Sequence, residues 1–243
     1  MTLLVLAGTS DARRLLEAVR EVDVIASLAG ATRAPGALPA ITRIGGFGGV
    51  KGFRDYLLKN RITGVVDATH PFAANMTHTA AKVCRDLGLP HLILQRPAWQ
   101  PAVGDRWHFV DCATETATII PKGATVFLAT GRQSLAEFSC LSGRHLLARV
   151  IDPPTPPVLP GFNGAFVIGT PPFFIDEEIA LFRKMAIDWL VAKNAGGDKS
   201  RSKLDAARAL GLPVVLINRP KLPNAAVVDT VKAALHWVQA QKW

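Results

Sequence analysis

The residues of this sequence best suited to chemistry stand just after apolar runs. The first run, Leu3-Leu4-Val5-Leu6-Ala7, leads into Gly8-Thr9-Ser10-Asp11-Ala12-Arg13. Five apolar residues suit a strand buried on both faces, and the glycine lets the backbone turn tightly into a helix carrying Leu15, Leu16 and Val19. Free N–H groups at a helix start, the hydroxyls of Thr9 and Ser10, and the Arg13 guanidinium one turn on together suit the pyrophosphate of a nucleotide. The full G-x-G-x-x-G pattern is absent, and a plain helix cap by Thr9 or Ser10 fits the same residues. In Gly45-Gly46-Phe47-Gly48-Gly49, four glycines allow backbone N–H groups to approach a flat ligand, so Gly46, Phe47, Gly48 and Gly49 join the candidate cofactor contacts. Thr69 and His70 follow another apolar run and precede Pro71. Thr69 is assigned to the cofactor; His70 is the candidate catalytic group, able to donate a proton or to hydrogen-bond a nicotinamide or substrate, with an ordinary loop histidine as the alternative.

The end of the second strand bears on which dinucleotide would bind. An NAD site of this class places Asp or Glu there, whereas this chain offers Ser27 and, six residues on, Arg33, a pair suited to a 2′-phosphate. Asp23 stands at the wrong end of that strand to substitute. NADP(H) is the cofactor expected, with a solvated Arg33 as the plain alternative.

These residues need strands and helices to position them. Apolar runs at 3–7, 24–29, 41–44, 64–68 and 91–95 alternate with helical patterns, which implies right-handed crossovers and a parallel sheet covered on both faces. A boundary falls in the proline-containing, aperiodic stretch 97–104, and further strands are expected at 125–129, 145–151, 165–168, 189–192 and 214–217. The second half repeats the first at an offset of 123: Gly8 matches Gly131, Leu87-Gly88-Leu89-Pro90 matches Leu210-Gly211-Leu212-Pro213, and Arg96-Pro97 matches Arg219-Pro220. The expected fold is α/β, two Rossmann-like five-stranded parallel-sheet domains, 1–98 and 99–243, facing each other across a cleft. A last amphipathic helix, 225–242, falls within the second. Ligands of such sheets bind beyond the carboxyl ends of the strands. At those ends the second half carries Thr130-Gly131-Arg132-Gln133, Arg149 with Pro153-Pro154, Thr170-Pro171-Pro172 and Lys193-Asn194-Ala195-Gly196-Gly197.

Composition narrows the function. Of 243 residues, 49% are hydrophobic, enough for substantial cores, yet no apolar run approaches a membrane span and the N-terminus lacks the pattern of an export signal. A cytoplasmic location is expected. Three cysteines, Cys84, Cys112 and Cys140, without C-x-x-C spacing argue against a disulfide framework or zinc and read as small core residues. His70 and His78 have no carboxylate spaced as a third ligand, so no metal is expected. The net charge of +9 would attract a polyanion, but the basic residues are scattered and the single tyrosine gives no basic-aromatic cluster, which disfavours nucleic acid. There is no nucleophile elbow and no Walker lysine. Tyr56 is followed four positions later by Asn60, not by the lysine of short-chain oxidoreductases.

Six segments in order, Gly8 to Arg13, Gly45 to Gly49, Asp67-Ala68-Thr69-His70-Pro71-Phe72-Ala73, Arg96-Pro97-Ala98-Trp99, Thr130 to Gln133 and Lys193 to Gly197, resemble the precorrin-6A reductase family of cobalamin biosynthesis, essentially end to end. The family usually has Glu at the position of Asp11 and Ser at that of Ala195. The resemblance implies two Rossmann-like domains and NADPH-dependent reduction of one double bond of the precorrin-6A macrocycle, giving precorrin-6B. A protein with this task chiefly aligns donor and acceptor and excludes water. It also implies a polycarboxylate tetrapyrrole substrate, for which Arg132, Gln133, Arg149, Lys193, Asn194, Gly196, Gly197, Lys199 and Arg201 are the expected contacts, and transient contact with neighbouring pathway enzymes. The rival of another class is an NADP(H)-sensing module without turnover, which would have no use for the Arg132 and Lys193 loops.

Overall fold

The structure is a computed structural model and describes residues 2–20, 22–30, 36–152 and 163–241. Its first strand, β1 (Thr2–Leu6), is central, and its apolar residues point alternately into two cores. Leu3 and Val5 pack on one face against Leu15 and Leu16 of α1 (Ser10–Ala18). Following β2 (Asp23–Leu28), β3 (Ile41–Ile44), α2 (Gly49–Lys59), β4 (Ile62–Asp67) and α3 (Ala74–Leu87), the opposite face joins Leu4 and Leu6 to Phe53, Leu57, Ala80 and Val83. Each such leucine taken from water contributes roughly 1.5–3 kcal/mol, which is why a continuous apolar run specifies a two-faced strand. The chain continues through β5 (His91–Leu94), β6 (Trp107–Val110), α4 (Thr116–Ile119) and β7 (Thr125–Ala129). A 3-10 run, Arg132–Leu141, stands where the first half has α1. Then come β8 (His145–Val150), β9 (Gly164–Ile168), α5 (Ile175–Lys184), β10 (Trp189–Lys193), α6 (Ser202–Leu210), β11 (Val214–Ile217), β12 (Ala226–Val228) and α7 (Val231–Ala240).

Two parallel sheets result, with the orders β12-β5-β4-β1-β2-β3 and β6-β11-β10-β7-β8-β9. Numbering each half from its own first strand gives the Rossmann order 3-2-1-4-5 twice, and each sheet adds a sixth strand beyond the fifth. The expectation of five strands is thus short by one per sheet. The two additions are exchanged along the chain: β6, which follows the first repeat, pairs with β11, whereas β12, which follows the second, pairs with β5. Accordingly the chain divides into one unit of residues 1–97 and 220–243 and another of 98–219. The C-terminal helix expected in the second domain belongs to the first. Its Ala234 and Val238 are buried in the core that holds Leu3, Val5 and α1.

The expected helix at 225–242 is also shorter. Thr230 caps α7, accepting from Ala233 N at 3.2 Å, and the residues before it pair as β12. The core of the second unit centres on Phe127, Phe182, Leu190, Leu204 and Leu216. Among the cysteines, Cys84 is buried, Cys140 is half-buried and Cys112 is exposed, which corrects the reading of Cys112 as a core residue. No helix among the described residues is long and apolar enough to cross a membrane.

Candidate functional site

In the first unit the strand ends line up as one row. Leu6 stands in register with Ser27 on one side and Asp67 on the other, Ser27 with Arg43, and Asp67 with Ile93. Gly8 leaves this row at the point where the strand order reverses, between β1 and β4. Its φ is 140°, and a Cβ there would meet nothing within 4 Å. Thr9 caps α1, accepting from Ala12 N at 3.1 Å, and donates its own proton to Ala68 O at 2.8 Å. The hydroxyl of Thr9 therefore ties α1 to β4, which is the capping alternative raised by the sequence. Ser10 opens the helix and is half-buried. Arg13 donates to the carbonyls of Ala37 at 2.6 Å and Gly36 at 3.4 Å, fastening the loop beyond β2. Arg33 lies outside the described residues.

Two features of this edge were not legible as spacing. Asp11, buried in the first turn of α1, bridges Arg14 and, at 2.9 Å, Arg96 at the end of β5. Burial would lift its pKa, but the Arg96 and Arg14 guanidiniums hold the carboxyl below the usual range. The second is Arg43. Its guanidinium donates to Ser27 Oγ at 2.7 Å and to Gly46 O at 3.0 Å, and its Cζ lies 3.9 Å over the Phe47 ring and 5.1 Å over Tyr56. Phe47 is in turn packed edge-on against Phe53 at 4.8 Å. A charged residue inside a short apolar edge strand just ahead of a glycine loop was the available signal. Gly48 adopts a left-handed conformation at the start of α2, while Gly52 is required by crowding, since a Cβ there would fall 1.7 Å from Phe47 O.

Beyond β4, Asp67 is buried and one carboxylate oxygen accepts from Thr69 N at 3.0 Å and Thr69 Oγ1 at 2.6 Å. Thr69 thus closes a local turn, and its hydroxyl proton is committed to Asp67. Burial, with the Asp67 charge, pushes the Cys84 thiol up to about 12, whereas burial lowers His91 against the pull of Asp67. His70 is exposed, and its Nδ1 accepts from Phe72 N at 3.3 Å, which puts the proton of the neutral ring on Nε2.

In the second unit, Gly131 starts the 3-10 run, and Arg132 and Gln133 beside it are exposed. Lys193 ends β10 half-buried, and that burial lowers its pKa against the attraction of Glu137. Several expected substrate contacts have partners within the unit. Asn194 accepts from Trp99 N at 2.8 Å and donates to Trp99 O at 3.3 Å, its own carbonyl accepts from Arg219 at 2.8 Å, and Gly197 O accepts from the Trp99 indole at 3.0 Å. Together these bonds clasp the segments entering and leaving the unit. Arg201 pairs with Asp205 at 3.0 Å and lies 3.9 Å from Asp105. Arg149 pairs with buried Glu178 and stacks between Phe173 at 4.1 Å and Phe127 at 4.7 Å. Nearby Lys203 lies 5.2 Å over Trp99. Burial pushes its pKa down to about 8, with Glu178 opposing and Arg149 assisting. Gly196 is buried and Lys199 exposed, and Pro153-Pro154 lie outside the described residues.

A family model described as precorrin-6x reductase CbiJ/CobK matches residues 2–239. The chain belongs to the precorrin-6x reductase family. It is 43% identical over 239 residues to a precorrin-6A reductase of Rhodobacter capsulatus, covering 97% of this chain and 95% of the relative. To a precorrin-6A reductase of Mycobacterium tuberculosis it is 43% identical over 244 residues, covering 97% and 96%. A solved structure titled CobK precorrin-6A reductase superposes with a TM-score of 0.91 at 41% identity, covering 98% of this chain and 96% of that one. Membership of the precorrin-6x reductases makes the chain an oxidoreductase acting on a tetrapyrrole, and the six sequence segments quoted above all lie within the matched span.

Proposed function

We propose that this protein reduces precorrin-6A to precorrin-6B with NADPH, taking the coenzyme on the first unit. The observation that carries the coenzyme reading is the Gly8 turn, which leaves β1 at the strand-order reversal with open space where a side chain would project. Residues and group fit: Gly8 and the start of α1 offer room and backbone donors for a pyrophosphate, and the last residues of β2, Ser27 and Leu28, bring no acid to oppose a 2′-phosphate. Bound there, the nicotinamide supplies hydride to one double bond of the macrocycle. The chain's part is to hold donor and acceptor in line and to keep water from the reacting bond. Asp11 does not repel the pyrophosphate, because its charge is matched by Arg14 and Arg96. His70, with its proton on Nε2, is the group of this edge assigned to deliver or orient a proton. Arg132, Gln133, Lys193 and Lys199 are assigned to the acetate and propionate groups. Arg149 and Arg201 serve the fold through Glu178 and Asp205.

The test is turnover. Purified protein mixed with NADPH and metal-free precorrin-6A should oxidise NADPH in step with a change in the tetrapyrrole spectrum. Coenzyme binding without any spectral change would favour the sensing module instead, and turnover equally fast with NADH would remove the 2′-phosphate from the reading.

A further inference from the structure

We infer that Arg43 is the residue that selects the 2′-phosphorylated coenzyme, with Ser27, Gly46, Phe47 and Tyr56 holding its guanidinium ready; this rests on the coenzyme reading above. Arg43, next to last in β3, stands in register with Ser27, next to last in β2, at the edge where nucleotide-binding sheets of this order grip the adenosine ribose. Its fork carries five N–H donors, and two are engaged among the described residues, one by a neutral hydroxyl and one by a backbone carbonyl. No carboxylate pairs with it among those residues, so its charge is left for a ligand.

A surface arginine without an acid partner usually moves freely, because fixing so long a side chain costs rotamer entropy. Here that cost is already met within the protein: two hydrogen bonds and the 3.9 Å stack on Phe47 hold the guanidinium in one plane, and Phe53 and Tyr56 fix Phe47 from its edges. Preorganisation without an internal counter-ion fits recognition of a phosphate better than it fits stabilisation of the fold. Gly46 adds a separate observation. Its φ is outside the left-handed region and a Cβ on it would meet nothing within 4 Å, so neither backbone nor packing asks for glycine at the residue whose carbonyl holds Arg43. The open side of that glycine leaves room for the phosphate.

The experiment compares the binding of 2′,5′-ADP and 5′-AMP to the full chain by calorimetry, in the wild type, Arg43→Ala and Arg43→Lys. The wild type should bind 2′,5′-ADP more tightly. Arg43→Ala should cut that ratio by about 10- to 100-fold while 5′-AMP binding changes by less than about threefold, and Arg43→Lys, which keeps charge but loses the fork, should keep part of the ratio. An undiminished ratio in Arg43→Ala overturns the assignment and passes the role to another cation, such as Arg33. If Arg43→Ala loses 5′-AMP as well, Arg43→Lys decides: 5′-AMP retained with a reduced ratio supports the assignment, and a full ratio overturns it. A wild type with no preference brings down the NADPH reading itself, and Arg43's role with it.

Discussion

Gly8 couples a φ of 140° to open space, and the two properties separate folding from binding. A valine there is strained at a cost on the order of 1–3 kcal/mol, yet its side chain meets no neighbour, so Gly8→Val should fold with a lowered Tm. Coenzyme binding should be lost, because the branched side chain fills the place assigned to the pyrophosphate. NADPH titration together with a thermal melt checks this, and an unchanged affinity in the folded variant would move the coenzyme elsewhere. Lys203 makes a different kind of prediction. Burial brings its pKa down to about 8 from 10.5, so between those values the unfolded chain binds more protons than the folded one. Stability from this group therefore rises with pH across that window and has no such slope in Lys203→Met. The difference in unfolding free energy, wild type minus variant, should grow from pH 8 towards pH 10 in urea titrations. A flat difference would show that the ammonium keeps an ordinary pKa, and a shrinking one that folding raises it.

Strands whose residues are buried on both faces were plain in the sequence, because a period-free apolar run such as that of β1, β4 or β11 has few other uses. What escaped was the pair β6 and β12. Trp107-His108-Phe109-Val110 is short and edge-placed, and its identity as a strand depends on pairing with β11, more than a hundred residues away. Ala226-Val227-Val228 reads as the start of a helix until Thr230 is recognised as the cap that begins α7 later. The site was legible in the same proportion. Glycine turns at strand ends carry local signals, whereas Arg43 on Ser27, Arg96 on Asp11 and Asn194 on Trp99 are made by topology, and no spacing rule announces them. The exchanged sixth strands have a measurable consequence. A chain ending at residue 219 strips β5 of its outer neighbour, β12, and uncovers the core beneath Ala234, Leu235, Trp237 and Val238. At roughly 1.5–3 kcal/mol for each large apolar side chain, that loss is comparable with the roughly 5–15 kcal/mol that holds a domain folded. Limited proteolysis of the truncated chain should digest the first unit and leave a resistant fragment close to 98–219. Equal resistance of both units would mean that the C-terminal segment is dispensable to the first.

Charge is the property that belongs to the whole molecule. The excess of +9 is not spread evenly over roles: Arg149, Arg201 and Arg208 face carboxylates within the second unit, and buried Arg144 donates to the backbone carbonyls of Ile120 and Ala117. Arg132 and Lys199 are the exposed cations of that unit assigned above to the substrate's carboxylates. A substrate bearing several carboxylates would feel both the general excess and these particular side chains, and the two can be told apart. Replacing Arg132 with Ala should raise the KM for the tetrapyrrole on the order of tenfold, as expected for one charge-assisted contact, while NADPH affinity stays nearly constant. Raising the ionic strength from about 0.1 to about 1 M shortens the screening length from about 10 to about 3 Å. It should therefore weaken substrate binding by the wild type more than by Arg132→Ala. The coenzyme is the internal control in both measurements. If Arg132→Ala instead loses NADPH and keeps the tetrapyrrole, the second unit holds the coenzyme, and the Gly8 edge of the first must be reassigned to the macrocycle.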